Sequence, residues 1–365
     1  MSLEEHQPSA TVVPVILSSD KMQLTVFGGK DTYPIYLTIG NIPKDICRKP
    51  SCLAQLLIGY ILTTKLKCFE KKASRQHALA NLFHFCMRKV IALIQSYGET
   101  GISMMSSNGT WHQCYPIFAV FIGDYPEQSL VTFTKRGCCP KCLVPPNQLG
   151  EFLRFPLQDH AEIVSTFFLA DKDIPHFYAA CHDTGLKPVY HPFWQMLPLV
   201  NISLSITPNI LHQLLQGVIR HLVAWLTSPT AFGQVEINVH CQSFPPNHHT
   251  KLFTNGITSL SCASGKEHKD ICHILLGLVI NLPLLNGQGQ SCLVKAVCAL
   301  LDFMYLAQYP SHATHTLHYL EESSCSFPPK QRHFHWSRCI PALQYYEIPQ
   351  PASLPTLHLL FQHHR

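Results

Sequence analysis

Two aspartates close two apolar runs. The first run, Val12-Val13-Pro14-Val15-Ile16-Leu17, leads through Ser18-Ser19 to Asp20. The second, Ile117-Phe118-Ala119-Val120-Phe121-Ile122, leads through Gly123 to Asp124. A strand is rigid and the turn after it is open, so an acid at its end is held still and stays accessible. Two such carboxylates can share a divalent cation if their strands are neighbours in one sheet, and hard oxygen ligands suit Mg²⁺ or Mn²⁺. The chemistry this supports is phosphodiester cleavage, in which metal ions activate an attacking water or 3′-hydroxyl and stabilise the leaving oxygen. The competing reading is that each aspartate merely begins a turn, a frequent role for Asp.

Other residues carry weaker chemical signals. Cys139-Pro140-Lys141-Cys142 supplies half of a tetrahedral Zn²⁺ site. His358 and His363, near the end of the sequence, are candidates for the other half. His248-His249 is a poorer choice, because adjacent histidines point apart on regular structure. Against zinc stands the reading of free thiols and solvated histidines. Asn209-Ile210-Leu211-His212 opens a helix with Asn209 as its cap, and His212 is either functional or simply hydrogen-bonded structure. Glu267, in Gly265-Lys266-Glu267-His268, is a candidate third carboxylate. It also sits in a first helical turn, where the helix dipole favours an acid. There is no phosphate-binding glycine loop, no Gly-x-Ser-x-Gly and no His-Glu-x-x-His.

Elements must position these groups. Val12–Leu17, Gln23–Phe27 and Tyr33–Ile39 read as three strands of an antiparallel meander, with Gly28-Gly29 after the second. Leu79, Leu82, Phe83, Cys86, Val90, Leu93, Ile94 and Tyr97 recur at helical spacing, which predicts one helix over 75–97 stopped by Gly98. A loop of small polar residues follows to Gly109, then the strand 117–122. The order is β-β-β-α-β, with an acid after the first and the fourth strand. Residues 125–208 read as irregular apart from a short helix near 160–182, and helices are expected near 209–227, 266–281 and 292–308.

Of the 365 residues 46% are hydrophobic and only 13% charged, which supports a large core and argues against a disordered chain. Net charge is +5, with 23 histidines that add charge as pH falls toward 6. This permits nucleic-acid contact without requiring it. Basic residues gather between Lys44 and Lys89, as a phosphate-contacting face or a solvated one. The 16 cysteines are scattered, and Met1–Ala10 has no apolar stretch, so a reducing compartment with free thiols is expected. The run Ile274–Leu285 is short and broken by Asn281 and Pro283, so no transmembrane helix is expected.

Several stretches resemble the Plavaka transposases of basidiomycete fungi. They include Val15–Lys30 with its Ser-Ser-Asp20, Tyr33–Asp45, Gly123-Asp-Tyr-Pro-Glu-Gln128, Cys139–Cys142, Lys187–Trp194 and Ile206–Gln213. The similarity runs from about residue 11 to 310. These enzymes are distant relatives of the CACTA transposases with an RNase H-like DDE core. The resemblance implies that Asp20 and Asp124 are the first two catalytic acids, served by Mg²⁺ or Mn²⁺. It implies that Cys139 and Cys142 bind Zn²⁺ with a late histidine pair, which His358 and His363 match loosely. Its motif of Asp or Cys, two residues, then His stands here as Asn209 to His212, a departure.

The resulting expectation is an α/β fold with an RNase H-like mixed sheet, a large helical insertion and a Cys/His zinc element. A tail at 1–10 precedes a first core segment at 11–135. A Cys-x-x-Cys segment with a helical insertion occupies 136–310, and a His/Pro-rich, poorly ordered tail 311–365. The expected function is metal-dependent DNA cleavage and strand transfer at transposon ends, in the nucleus, with DNA as partner, no membrane, and self-association left open. The resemblance places a third acid, a Glu, after the late histidines, and none follows His363. The sequence therefore reads as a truncated or degenerate copy, inactive as it stands. The rival expectations are a non-enzymatic DNA- or partner-binding protein on the same scaffold, and an expressed relic.

Overall fold

β-Branched and aromatic side chains dominate the segments that pair into a sheet, because they pack well on a pleated, half-buried surface. The computed structural model describes residues 10–25, 30–135, 137–148, 155–207, 209–260, 263–280, 282 and 290–325. These divide into two compact units, one chiefly of residues 10–146 and 155–207, the other of residues 209–325. The first contains the sheet. Its strands are β1 (Thr11–Ser19), β2 (Met22–Gln23), β3 (Asp31–Ile39), β4 (Leu56–Leu62), β5 (Ile102–Met105) and β6 (Trp111–Ile122).

β1 pairs antiparallel with β3, Ser19 opposite Ile35, and β2 continues the same register with Met22 opposite Thr32. β1 and β2 are therefore one arm of a hairpin, interrupted at Asp20-Lys21, and β3 is the other. The expected three-strand meander is corrected accordingly: its third strand is β4, antiparallel to β3 on the far side. Phe27, Gly28 and Gly29 lie outside the described residues. β6 runs parallel to β1, and β5 pairs antiparallel with β6. β5 occupies part of the segment expected to be loop. The mixed sheet with flanking helices makes the unit α/β, as the sequence predicts.

The expected single helix is two: α1 (Lys72–Val90) and α2 (Ala92–Thr100), bent by 50°. Ile91, at the break, has φ −103° and ψ 13°, outside the helical range, and is buried. The expected stop at Gly98 also moves. Gly98 is buried inside α2, where a Cβ would lie 2.7 Å from Pro198 Cγ and 3.0 Å from the Pro116 carbonyl oxygen. Gly101, at φ +70°, ends the helix instead. α1 lays Ala80, Phe83 and Met87 into a core with Val15, Leu17, Ile35, Phe118 and Phe121. Each of these side chains larger than alanine contributes about 1.5–3 kcal/mol relative to exposure.

Residues 125–208 are more regular than expected, with α3 (Tyr125–Val131), α4 (His160–Phe168) and α5 (Ile174–Asp183). Pro126 lies in the first turn of α3, where its missing N–H is harmless. His84 of α1 is the polar pin of this core. Its Nε2–H donates to the Leu130 carbonyl at 3.0 Å, and its Nδ1 accepts from the Phe193 N–H at 3.3 Å. The ring sits 4.1 Å from that of Phe133. Burial pushes its pKa down to about 3, so it is neutral at physiological pH.

The second unit is helical. A π-helix (Ile210–Ile219) runs into α6 (Arg220–Leu226), followed by α7 (Gln234–Ser243), α8 (Gly265–Val279), α9 (Gln290–Ala307) and α10 (Thr314–Cys325). Leu214, Val218, Leu222, Leu275, Leu278, Val297 and Leu300 form its core. α9 is long and apolar enough to cross a membrane on length and composition. Its Leu293, Val297, Leu300 and Met304 are buried in this core. α7 and α10 are helices the sequence reading did not assign, and α10 begins the segment expected to be poorly packed. His358 and His363 lie outside the described residues.

Candidate metal centre

The parallel pairing of β1 and β6 sets the site. Ser18 stands opposite Ile122. Two residues further along each chain come Asp20 and Asp124, so the register carries both acids to the same edge of the sheet. A carboxylate oxygen of each, together with one of Glu127, lies within 4.8 Å of the others. Asp20 is exposed, Asp124 half-buried and Glu127 buried. The sequence-predicted pair thus comes together, and a third acid that sequence reasoning passed over joins it.

Local sequence explains the arrangement. Asp124 caps α3, its Oδ1 accepting the Glu127 N–H at 3.1 Å. A residue three positions into a helical turn returns to the side of the cap, which brings Glu127 back toward Asp124. Gly123 makes the turn tight enough. A Cβ there would meet the Glu127 Cβ and the Phe121 ring at 2.9 Å, and the Ser19 carbonyl oxygen at 3.3 Å. The Gln128 side-chain amide donates to the carbonyls of Gly123, at 3.0 Å, and Thr207, at 2.9 Å, anchoring the start of α3.

The electrostatics near the acids are mixed. The Tyr33 phenol is pushed up, first by burial and then by the charges of Asp124, Asp31 and Asp20, so it stays protonated. Lys21, next to Asp20, is paired with Asp31 at 2.7 Å. A cleft of about 1600 Å³ opens beside the cluster, with Glu127 and Tyr33 in its wall. Five lysines line it: Lys21, Lys30, Lys65, Lys72 and Lys187. Lys65 and Lys72 belong to the basic stretch picked out in the sequence. Burial pushes the Lys187 ammonium below the usual lysine range.

The Cys-x-x-Cys turn is compact. Cys139 Sγ accepts N–H bonds from Lys141 at 3.2 Å and Cys142 at 3.1 Å, and the two sulfurs are 3.4 Å apart with no disulfide. A Cys-x-x-Cys turn with its two sulfurs on one side supplies two ligands of a tetrahedral site. The donor set therefore fits half of a zinc site. No third His, Cys, Asp or Glu joins the pair among the described residues. The Tyr125 hydroxyl donates to the Cys138 carbonyl at 2.9 Å, tying this turn to α3.

The remaining sequence candidates among the described residues belong to the second unit. Asn209 does cap the helix after it, its side chain accepting the N–H groups of Leu211 at 2.8 Å and His212 at 3.3 Å. His212 Nδ1 is buried without a hydrogen-bond partner among the described residues. Glu267, in the helical unit, forms a capping box with Ser264 and an ion pair with Lys251. Lys251 and then Ser264 hold its pKa down to about 2.

The chain matches the family model described as Plavaka transposase over residues 1–226, more than half its length. A comparison with curated proteins gives no match. The chain belongs to the Plavaka transposase family, as the sequence resemblance implied.

Proposed function

We propose that this protein is a DDE-type transposase core that cleaves and joins DNA strands at transposon ends with Mg²⁺ or Mn²⁺. The observation that carries the reading is the parallel register that brings Asp20 and Asp124 together at one sheet edge. An RNase H-like core is supported by three antiparallel strands, a helix, and a strand parallel to the first, in the sheet order β4-β3-β1-β6. The buried carboxylate oxygen of Glu127, which has no hydrogen-bond partner among the described residues, and the all-oxygen donor set fit a hard divalent cation. Bound there, such an ion would stabilise charge on the phosphate and activate the attacking oxygen.

The chain's own residues do the rest. Asp20 and Asp124 hold the ion at the edge of the sheet. The cleft lysines bind phosphates of the DNA backbone and hold a strand against the acids, giving salt-sensitive, sequence-independent affinity. Tyr33, kept protonated, is a donor beside the acids. The Cys139–Cys142 turn is half of a Zn²⁺ site completed by His358 and His363, and zinc content that drops on Cys142→Ser is the expected sign of it. Zinc retained in that variant would remove the assignment. The workplace of such a protein is the nucleus of a fungal cell.

The test is Mn²⁺-dependent nicking of DNA carrying the ends of the parent transposon. The sequence alone reads as an inactive copy for want of a late glutamate; the active reading takes Glu127 into account, since it joins the two aspartates. On that reading, wild type should cut, and Asp20→Ala and Asp124→Ala should each abolish cutting while leaving DNA binding in place. Salt-sensitive binding with no cutting by the wild type would favour the non-enzymatic reading, in which the lysine-lined cleft retains DNA without processing it.

A further inference from the structure

We propose that Glu127 is the third carboxylate ligand of the cation site at Asp20 and Asp124. This rests on the reading that those two aspartates hold a divalent ion. Three observations point to Glu127. Its carboxylate lies in the same 4.8 Å cluster as theirs. The residue is only 6% exposed, and its Oε2 is buried with no hydrogen-bond partner among the described residues. Gly123 is shaped around it, since any Cβ there would strike the Glu127 Cβ.

A buried carboxylate oxygen with no donor is strongly unfavourable. A hydrogen-bond donor on a neighbouring side chain or a cation would relieve it. The nearest lysine in sequence to Asp20, Lys21, is already paired with Asp31. A divalent ion satisfies all three acids at once and matches their oxygen chemistry. The geometry also explains why the acid is a glutamate in the first turn of a helix. Asp124 both caps the helix and belongs to the cluster, and the residue whose N–H it accepts is the one whose side chain returns to the cluster.

The experiment is Mn²⁺ titration of the full chain, followed by the electron paramagnetic resonance signal of free Mn²⁺, for wild type, Asp20→Asn and Glu127→Gln. Glu127→Gln keeps the shape and removes the charge. It should weaken Mn²⁺ binding at least tenfold, and Asp20→Asn should do the same. Melting in EDTA provides the second readout. Glu127→Gln should gain less than wild type in melting temperature when EDTA is replaced by Mn²⁺. Wild-type affinity in Glu127→Gln with loss in Asp20→Asn would overturn the role of Glu127 and leave the aspartate pair standing. No Mn²⁺ binding by the wild type would overturn both.

Discussion

Glu127 and Glu267 occupy the same local position in two helices and meet opposite fates. Each is the third residue after a capping side chain, Asp124 for α3 and Ser264 for α8, and each donates its own N–H to that cap. At α8 the glutamate reaches back and accepts from the Ser264 N–H at 2.8 Å, closing a capping box, while its other oxygen pairs with Lys251. At α3 the glutamate is buried, has one oxygen without a donor among the described residues, and joins two aspartates. One sequence pattern serves as a finished helix start in one place and as an unfinished ligand set in the other. Burial decides which, because water or a lysine satisfies an exposed carboxylate and only a specific partner satisfies a buried one.

Titration should separate the two environments most. His84 is buried and neutral, with its folded pKa about 3 against an ordinary 6.5. A histidine depressed on folding binds its proton more readily when unfolded, so its stabilisation is complete above 6.5 and drains as pH falls toward 3. By pH 5 this removes about 2 kcal/mol from the sheet unit. Glu267 works in another window. Its pKa, held at about 2 by Lys251 and Ser264, makes its contribution complete above its usual 4.5 and lost only as pH falls through 2. Acid unfolding followed residue by residue, by amide hydrogen exchange in β1 and in α8, should show the sheet unit weakening first. In His84→Gln the early loss between pH 6.5 and 5 should disappear.

The glycines beside the two acids give a smaller contrast. A Cβ at Gly123 meets the Glu127 Cβ, the Phe121 ring and backbone at Ser19, none of which can retreat easily. Gly123→Ala should destabilise the protein by about 1–3 kcal/mol and weaken Mn²⁺ binding. A Cβ at Gly265 meets only the end of the Leu211 side chain, which can rotate away. Gly265→Ala should change stability by less than about 1 kcal/mol, since the alanine also favours the helix, and should leave Mn²⁺ affinity unchanged. Chemical denaturation checks both. Equal losses would mean that the Gly123 turn is no more constrained than a helix start.

The β1 and β6 runs, the helix between them and the aspartates at their ends were legible because β-branched runs, helical periodicity and a strand-end acid are strong local signals. β4 was not. Leu56–Leu62 shows no alternation, carries a glycine, and leaves Leu56, Leu57, Tyr60 and Leu62 exposed, so period-two patterning had nothing to reveal. β5 is a short strand at the end of the sheet order, paired with β6, with exposed Met104 and Met105. The bend at Ile91 comes without a proline or glycine at the break. Glu127 has no local signature of a ligand, because an acid in the first turn of a helix is common for dipole reasons alone. The signal that would have found it was the coincidence of that pattern with an aspartate already assigned to the cluster.

The most direct test of the account is a crystal structure grown with Mn²⁺ and measured at the manganese absorption edge. An anomalous peak bound by Asp20, Asp124 and Glu127 oxygens, at about 2.0–2.6 Å, is the predicted result. A site without metal at saturating Mn²⁺, or a peak that leaves Asp20 and Asp124 outside its ligand sphere, would contradict it.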